Sequence, residues 1–154
     1  MTHRILFVCL GNICRSPTAE GVLRGIAARE FPHLPLYVDS AGTANYHVGE
    51  PPDRRSIAAA RRRGYDIASL RARQLAATDF TGFDYVLAMD RANLDQVQVL
   101  RPEPGGAQVG LFLEYASLDQ DEVPDPYYGG VEDFEHVLDL CEAGARGLLT
   151  RLAR

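Results

Sequence analysis

Hydrophobic residues along the chain alternate between short continuous runs and longer repeats with helical spacing. The run Ile5-Leu6-Phe7-Val8 is typical of a fully buried strand. The apolar residues after it recur at the spacing of one helix face, and they are Ala19, Val22, Leu23, Ile26 and Ala27. We therefore predict a strand, a loop and a helix, in which Ser16 is the N-cap and Pro17 occupies the first helical position.

Helices with similar patterns are predicted further along the chain. One is capped by Asp53, runs to Arg63 and ends at Gly64. The next has an apolar face of Leu94, Val97 and Leu100 and is closed by Pro102 and Pro104. The last runs over 131–153, with an apolar face of Phe134, Val137, Leu138, Cys141, Ala145, Leu148 and Leu152.

Strands are predicted between these helices, over residues 36–39, 84–89 and 107–113. The alternation predicts an α/β fold: a four-stranded parallel sheet with helices on both faces, in a single domain over 1–154. Ligands of such sheets bind outside the carboxyl ends of the strands. Cys9, Asp39-Ser40 and Met89-Asp90 all lie at those ends, so we expect a binding site there.

The composition and net charge exclude several classes of protein. The chain has 154 residues, of which 46% are hydrophobic, as expected for one ordinary domain. A net charge of -5 gives no overall attraction to nucleic acid or to an anionic membrane surface. Thr2-His3-Arg4 leads into a strand and not into a signal peptide, and no apolar run is long enough to span a membrane. The cysteine count of 3 is odd, which argues against a framework of disulfides. We therefore expect a cytoplasmic protein without a disulfide framework. We also expect it to act as a monomer.

Two side chains give chemistry to the loop between the first strand and the first helix. Successive backbone N–H groups and the positive end of the helix suit an anion there. A helix N-terminus and a guanidinium favour the thiolate form of a cysteine, so Cys9 is predicted to be a nucleophile. Arg15 can bind two oxygens of a phosphate with its planar fork. The loop is therefore predicted to bind and attack a phosphate group.

The segment from Cys9 to Pro17 resembles the signature of the low-molecular-weight protein tyrosine phosphatases. Three further stretches match that family: Asp39-Ser40-Ala41-Gly42-Thr43, Met89-Asp90 and Asp125-Pro126-Tyr127-Tyr128. The resemblance implies hydrolysis of phosphotyrosine in protein substrates, and of small aryl phosphates, through a cysteinyl-phosphate intermediate without a cofactor. Asp125 would protonate the leaving phenolate and then activate water.

The resemblance and the loop pattern together define a candidate substrate site. Its phosphate-binding part comprises Leu10, Gly11, Asn12, Ile13, Cys14, Arg15 and Ser16. Tyr46, Tyr127 and Tyr128 are predicted to wall a slot for an aromatic ring, and the position of His47 lines the pocket in relatives. Ser40, Asp90 and a left-handed Asn12 match residues that support the loop, and Ser16 matches a hydroxyl that stabilises the thiolate. Many relatives carry a histidine where Leu70 stands, so we expect the support of Asn12 to be built differently.

The arginines of the second quarter allow two interpretations: Arg54, Arg55, Arg61, Arg62, Arg63, Arg71 and Arg73. The first is a solvated helix with cations at its C-terminal end. The second is a basic rim that steers anionic phosphopeptides toward the site. Cys14 is also ambiguous, because it is either a small residue whose amide faces the phosphate or a thiol that forms a disulfide with an oxidised Cys9.

Three alternative functions fit the sequence less well. Arsenate reduction on the same fold needs a further pair of cysteines in the middle of the chain, where none occurs between Arg15 and Leu140. A non-catalytic phosphate-binding module would keep Arg15 but would have no use for Asp125. A zinc site would need about four ligands at suitable spacing. The cysteines and histidines lack that spacing, and we predict no metal site.

Overall fold

The apolar run near the N-terminus forms the central strand of the sheet in the computed structural model, which describes residues 1–103 and 105–154. This strand, β1 (His3–Cys9), pairs in parallel with β2 (Leu36–Gly42) on one side and with β3 (Tyr85–Ala88) on the other. β4 (Gln108–Leu111) pairs in parallel with β3, which gives the order β2-β1-β3-β4. The predicted four-stranded parallel sheet is confirmed.

Helices cover both faces of this sheet. They are α1 (Arg15–Glu30), α2 (Arg54–Arg62), α3 (Asp79–Gly82), α4 (Arg91–Leu100) and α5 (Val131–Leu152), with a 3₁₀ turn at Phe112–Tyr115. Alternate residues of β1 enter opposite cores, as a pleated strand requires. Ile5 and Phe7 pack in the larger core with α1 and α5, while Leu6 and Val8 pack in the smaller core with Val97 of α4. The central strand is therefore buried on both sides.

Several predicted boundaries differ from the structure. Ser16 is wrong as an N-cap, because α1 begins at Arg15 and the Ser16 hydroxyl contacts tertiary partners instead. β2 continues past Asp39 to Gly42, and β4 ends at Leu111 because the following apolar residues form the 3₁₀ turn. In α4, Asn93 is buried with Val97, whereas Leu100 is exposed. The prediction for Pro104 lies outside the described residues.

The predicted cap of α2 is confirmed. The prediction that its arginines are solvated is only partly correct, because some of them bind other elements. The Asp53 side chain accepts a hydrogen bond from Arg55 N, and Gly64 follows the helix with a φ of +85°. Arg63 binds Glu135, Asp139 and Glu142 of α5. Burial opposes the charge of Arg63, yet these carboxylates raise its pKa. Arg73 likewise binds Asp39 and Asp79, so these two arginines join elements of the fold.

Candidate active site

The loop from Cys9 to Arg15, which we call the phosphate loop, has its carbonyl groups bonded on the outside. The carbonyl oxygens of Cys9 and Leu10 accept hydrogen bonds from Thr43 N and Ala44 N, both at 2.9 Å. The carbonyl of Ile13 accepts from Asp53 N at 2.8 Å. Within the described part of the chain, the N–H groups of Gly11 and Ile13 donate no hydrogen bond to another backbone group. These N–H groups are therefore available to an oxyanion.

Close approach of β2 allows this arrangement. Gly42 pairs with Cys9 at the end of β2, and a Cβ at this position would lie 2.8 Å from the carbonyl oxygen of Leu10. Any larger residue would push the backbone of the phosphate loop away from the donors that hold its outer side. Steric crowding thus explains why the Asp39–Thr43 stretch has glycine at position 42.

Asn12 is the centre of a buried network that supports the phosphate loop. Its φ is +59°, the left-handed conformation that the family resemblance implied. Its side-chain amide donates to Ser16 Oγ at 2.8 Å and to Ser40 Oγ at 3.0 Å, and its Oδ1 accepts from Arg73 N at 3.0 Å. The third contact comes from backbone, which explains how Asn12 is held in a chain with leucine at position 70. Leu70 itself packs, partly buried, against the larger core.

Ser40 leads to a buried carboxylate that sequence reasoning missed. The Ser40 hydroxyl donates to Glu20 Oε1 at 2.7 Å, and Glu20 is 1% exposed and forms an ion pair with Arg24. Burial raises the pKa of Glu20, while the Ser40 hydrogen bond and Arg24 oppose that rise. The sequence carries only the i,i+4 spacing of Glu20 and Arg24 as a signal, and that spacing is common on exposed helices.

The thiol of Cys9 lies at the end of this network, and the residue is 3% exposed. Ser16 Oγ is 3.0 Å from the Cys9 sulfur, and the backbone N–H of Asn12 donates to the same sulfur at 3.3 Å. Asn12 donates to Ser16 Oγ, so the hydroxyl proton of Ser16 can point either at the Cys9 sulfur or at the carbonyl oxygen of Ala41, 3.4 Å away. In the first orientation, the Ser16 hydroxyl and the Asn12 N–H both converge on the atom that would carry the negative charge of a thiolate.

Arg15 is buried behind the phosphate loop and held from two other loops. Its Nη1 donates to Asp90 Oδ2 at 2.6 Å and to the carbonyl oxygen of Val123 at 2.9 Å. Its Nη2 is 3.8 Å from Asp125 Oδ2. Burial opposes the charge of Arg15, yet Cys9 and the two carboxylates raise its pKa. Asp90 also caps α4 by accepting from Asn93 N, so the guanidinium is fixed to a rigid element.

A pocket of about 210 Å³ opens above the Cys9 sulfur. Its lining includes most of the predicted residues: Cys9, Leu10, Gly11, Ile13, Cys14, Arg15, Tyr46, His47, Asp125, Tyr127 and Tyr128. Asn12 and Ser16 lie behind the loop rather than in the pocket wall. Asp125 is 45% exposed at the mouth, where its Oδ1 accepts from Tyr127 N at 3.1 Å. A thiol, a guanidinium and a carboxylate thus meet in one aromatic-walled pocket.

Comparison with known proteins identifies the family. A family model described as low molecular weight phosphotyrosine protein phosphatase matches residues 4–154. The chain is 43% identical over 155 residues to a low molecular weight protein-tyrosine-phosphatase of Streptomyces coelicolor, covering 97% of this chain and 93% of the relative. It is 39% identical over 157 residues to the low molecular weight phosphotyrosine protein phosphatase of Homo sapiens, covering 97% and 96%. The chain belongs to this family.

A solved structure agrees with this assignment. The protein tyrosine phosphatase of Entamoeba histolytica, crystallised with Hepes in its active site, superimposes with a TM-score of 0.92. It is 37% identical to this chain, and the comparison covers 98% of this chain and 97% of that one. The family resemblance and the fold class predicted from the sequence are both confirmed.

The remaining cysteines of the phosphatase are buried. Burial raises the pKa of Cys14 to about 12, although a hydrogen bond with Ser56 opposes that rise. Cys141 is fully buried in the larger core, as its place on the apolar face of the last helix predicted. Among residues 1–103 and 105–154, no cluster of three or more potential metal ligands is present. None of the helices in that part of the chain is long and apolar enough to cross a membrane.

Proposed function

We propose that the phosphatase hydrolyses phosphotyrosine in protein substrates, and small aryl phosphates, through a cysteinyl-phosphate intermediate. One observation carries the proposal: Cys9, Arg15 and Asp125 line the same pocket. The N–H groups of the phosphate loop and the Arg15 fork would hold the phosphate dianion and stabilise charge on its oxygens.

In the first step, the Cys9 thiolate attacks phosphorus, an S–P bond forms and the bond to the phenolic oxygen breaks. Asp125, at the mouth of the pocket, donates its proton to that oxygen, so phenol leaves in its neutral form. The exposure of Asp125 fits this role, because the leaving group departs toward solvent. Arg15 remains buried and balances the charge of the phosphoryl group.

In the second step, water attacks the phosphorus of the intermediate while the Asp125 carboxylate takes a proton from it. The S–P bond breaks and returns the electron pair to the Cys9 sulfur. Ser16 Oγ and the Asn12 N–H, at 3.0 Å and 3.3 Å from that sulfur, support it as a leaving group. Phosphate then departs, and the thiolate is ready for another cycle.

The walls of the pocket support an aryl substrate. Tyr46, Tyr127 and Tyr128 surround the opening together with Leu10, and each is exposed at its outer side. Aromatic walls favour a planar ring over the short aliphatic chain of phosphoserine. We also propose a cytoplasmic monomer. The three free cysteines support the cytoplasmic part of this proposal, because disulfides are rare in reducing compartments.

Three rates measured side by side test this function. We expect hydrolysis of nitrophenyl phosphate and of a phosphotyrosine peptide in the presence of a chelator, with no arsenate reduction in the presence of thiols. Cys9→Ser should abolish turnover but still bind vanadate, because the loop N–H groups and Arg15 remain. Cys141→Ala is the matched control, because it removes a buried thiol that does not line the pocket. Full turnover by Cys9→Ser would reject Cys9 as the nucleophile.

A further inference from the structure

One aromatic wall of the pocket rests on an arginine that lies outside the pocket. The Arg55 guanidinium carbon, near the start of α2, lies 5.4 Å from the ring centroid of Tyr127. It also lies 4.6 Å from the ring centroid of Phe134, which is buried in the first turn of α5. Arginine stacks on aromatic faces through its planar cation. The guanidinium therefore connects the Tyr127 wall to a buried ring of the core.

The other side of Arg55 is anchored beside the phosphate loop. Its Nε and Nη2 donate to the two carboxylate oxygens of Asp53, at 3.0 Å and 2.9 Å. The backbone N–H of Asp53 in turn donates to the carbonyl oxygen of Ile13 at 2.8 Å. Asp53 thus connects Arg55 to the phosphate loop, because it accepts from the Arg55 guanidinium and donates to Ile13.

The segment that carries Tyr127 has few hydrogen bonds to other elements, although the neighbouring Pro126 is buried. Its hydrogen bonds at Tyr127 N and Gly129 N are local, to Asp125 and Pro126. Across to other elements, the described residues add the 3.8 Å approach of Asp125 to Arg15. The Tyr127 ring is 37% exposed and contacts the Tyr128 ring edge-on at 5.0 Å, but Tyr128 is itself 95% exposed. Contact with Arg55 therefore connects the Tyr127 ring to another element of the fold. The distance between the aromatic wall and the phosphate loop therefore depends on Arg55.

We propose that Arg55 is a positioning residue that sets the Tyr127 wall against the phosphate loop and thereby determines selectivity for aryl phosphates. The proposal rests on the phosphatase function given above. Arg55 does not line the pocket, so it would act through Tyr127 rather than on the substrate. A guanidinium is required because only a planar cation can pair with both oxygens of Asp53 and stack on two rings at once.

A double-mutant cycle tests this route, with Arg55→Lys, Tyr127→Leu and the pair together. Arg55→Lys should raise KM for nitrophenyl phosphate about 5-fold with nearly unchanged kcat, since a stacked cation contributes roughly that factor. The inhibition constant of inorganic phosphate, which has no ring, should stay within about twofold. In the Tyr127→Leu background, the same substitution should change KM by less than about twofold, because the contact is already lost. Arg54→Lys, on the exposed neighbour, is the matched control.

Other outcomes overturn the proposal. A parallel change in phosphate inhibition would mean that Arg55 acts through Asp53 and the phosphate loop, and fully additive effects would mean that it does not act through Tyr127. An unchanged KM in Arg55→Lys would exclude any positioning role. If the wild-type chain hydrolyses no aryl phosphate, the proposed function fails. The cycle can then still be measured by binding of phenylphosphonate relative to inorganic phosphate, and the same pattern of coupling is expected.

Discussion

Replacement of Asn12 should destabilise the fold far more than replacement of an ordinary loop residue. The side chain is 3% exposed, makes three hydrogen bonds and sits at a φ of +59°. Asn12→Ala removes all three bonds and places an alanine in the left-handed region. Asn12→Gly removes the same bonds but tolerates the backbone conformation. The two variants therefore separate the contribution of the side chain from that of the backbone.

The expected size follows from these contacts. Each hydrogen bond contributes about 1 kcal/mol net, so three give about 3 kcal/mol for either variant. A left-handed alanine adds about 1 kcal/mol, so Asn12→Ala should lose about 4 kcal/mol of unfolding free energy. The difference between the variants should be somewhat reduced by the greater entropy of glycine in the unfolded chain. Asn12→Ala is nevertheless expected to be the less stable variant.

Urea unfolding followed by circular dichroism measures these free energies, with kcat for an aryl phosphate recorded on the same samples. Asn45→Ala, on the exposed segment after β2, serves as the control and should stay within about 0.5 kcal/mol of wild type. If Asn12→Ala also stays within that range, the buried network does not stabilise the fold. If Asn12→Gly is the less stable of the two, the left-handed backbone carries no strain in alanine.

Three further predictions concern the reaction and its regulation. Arg15→Lys should reduce kcat/KM by about 10² or more, because a point charge cannot replace the planar fork; near-normal kinetics would exclude a two-pronged contact. Asp125→Ala should lower kcat by roughly 10² for a phenol of high pKa and by less for nitrophenol, whereas equal losses would show that Asp125 is not the acid. Peroxide should oxidise Cys9 to a sulfenic acid that condenses with the Cys14 thiol, releasing water, and dithiothreitol should restore activity. Burial of Cys14 should make this condensation slow, and recovery in Cys14→Ser equal to that of wild type, each relative to its untreated sample, would exclude the disulfide.

Local patterns were enough to predict the elements that carry the site. The run from Ile5 to Val8 has no polar residue, and the repeat after it fits only a helix, so the loop between them was predictable. The same local reasoning failed at Ser16, because a capping rule considers only the nearest N–H groups. The hydroxyl instead contacts Asn12 and Cys9, and those contacts depend on how the loop folds back.

Other contacts in the site cannot be recognised in the sequence, because they are made by backbone groups. Arg15 is held by the carbonyl oxygen of Val123, and Asn12 by the backbone N–H of Arg73. Every residue type offers a backbone carbonyl and every type except proline offers an N–H, so only the tertiary fold determines which ones reach the site. Glu20 is a different case, because an acidic residue beside an apolar stripe is normally solvated. Glu20 lies in α1, and its burial depends on a hydrogen bond from Ser40 in β2. It could therefore not be predicted from the sequence of the helix alone.

The hydrogen bonds on the outer side of the phosphate loop couple anion binding to the local stability of the segment that donates them. The three donors that hold its outer side are Thr43, Ala44 and Asp53, in a segment over 43–53 that forms neither helix nor strand. When that segment opens, the loop carbonyls lose their partners and can turn toward the site. An oxyanion that binds only the closed loop stabilises it by about 2.7 kcal/mol at a hundredfold excess over its Kd. Free phosphate would then slow amide hydrogen exchange at these three residues, so the reaction product itself preserves the geometry that formed it.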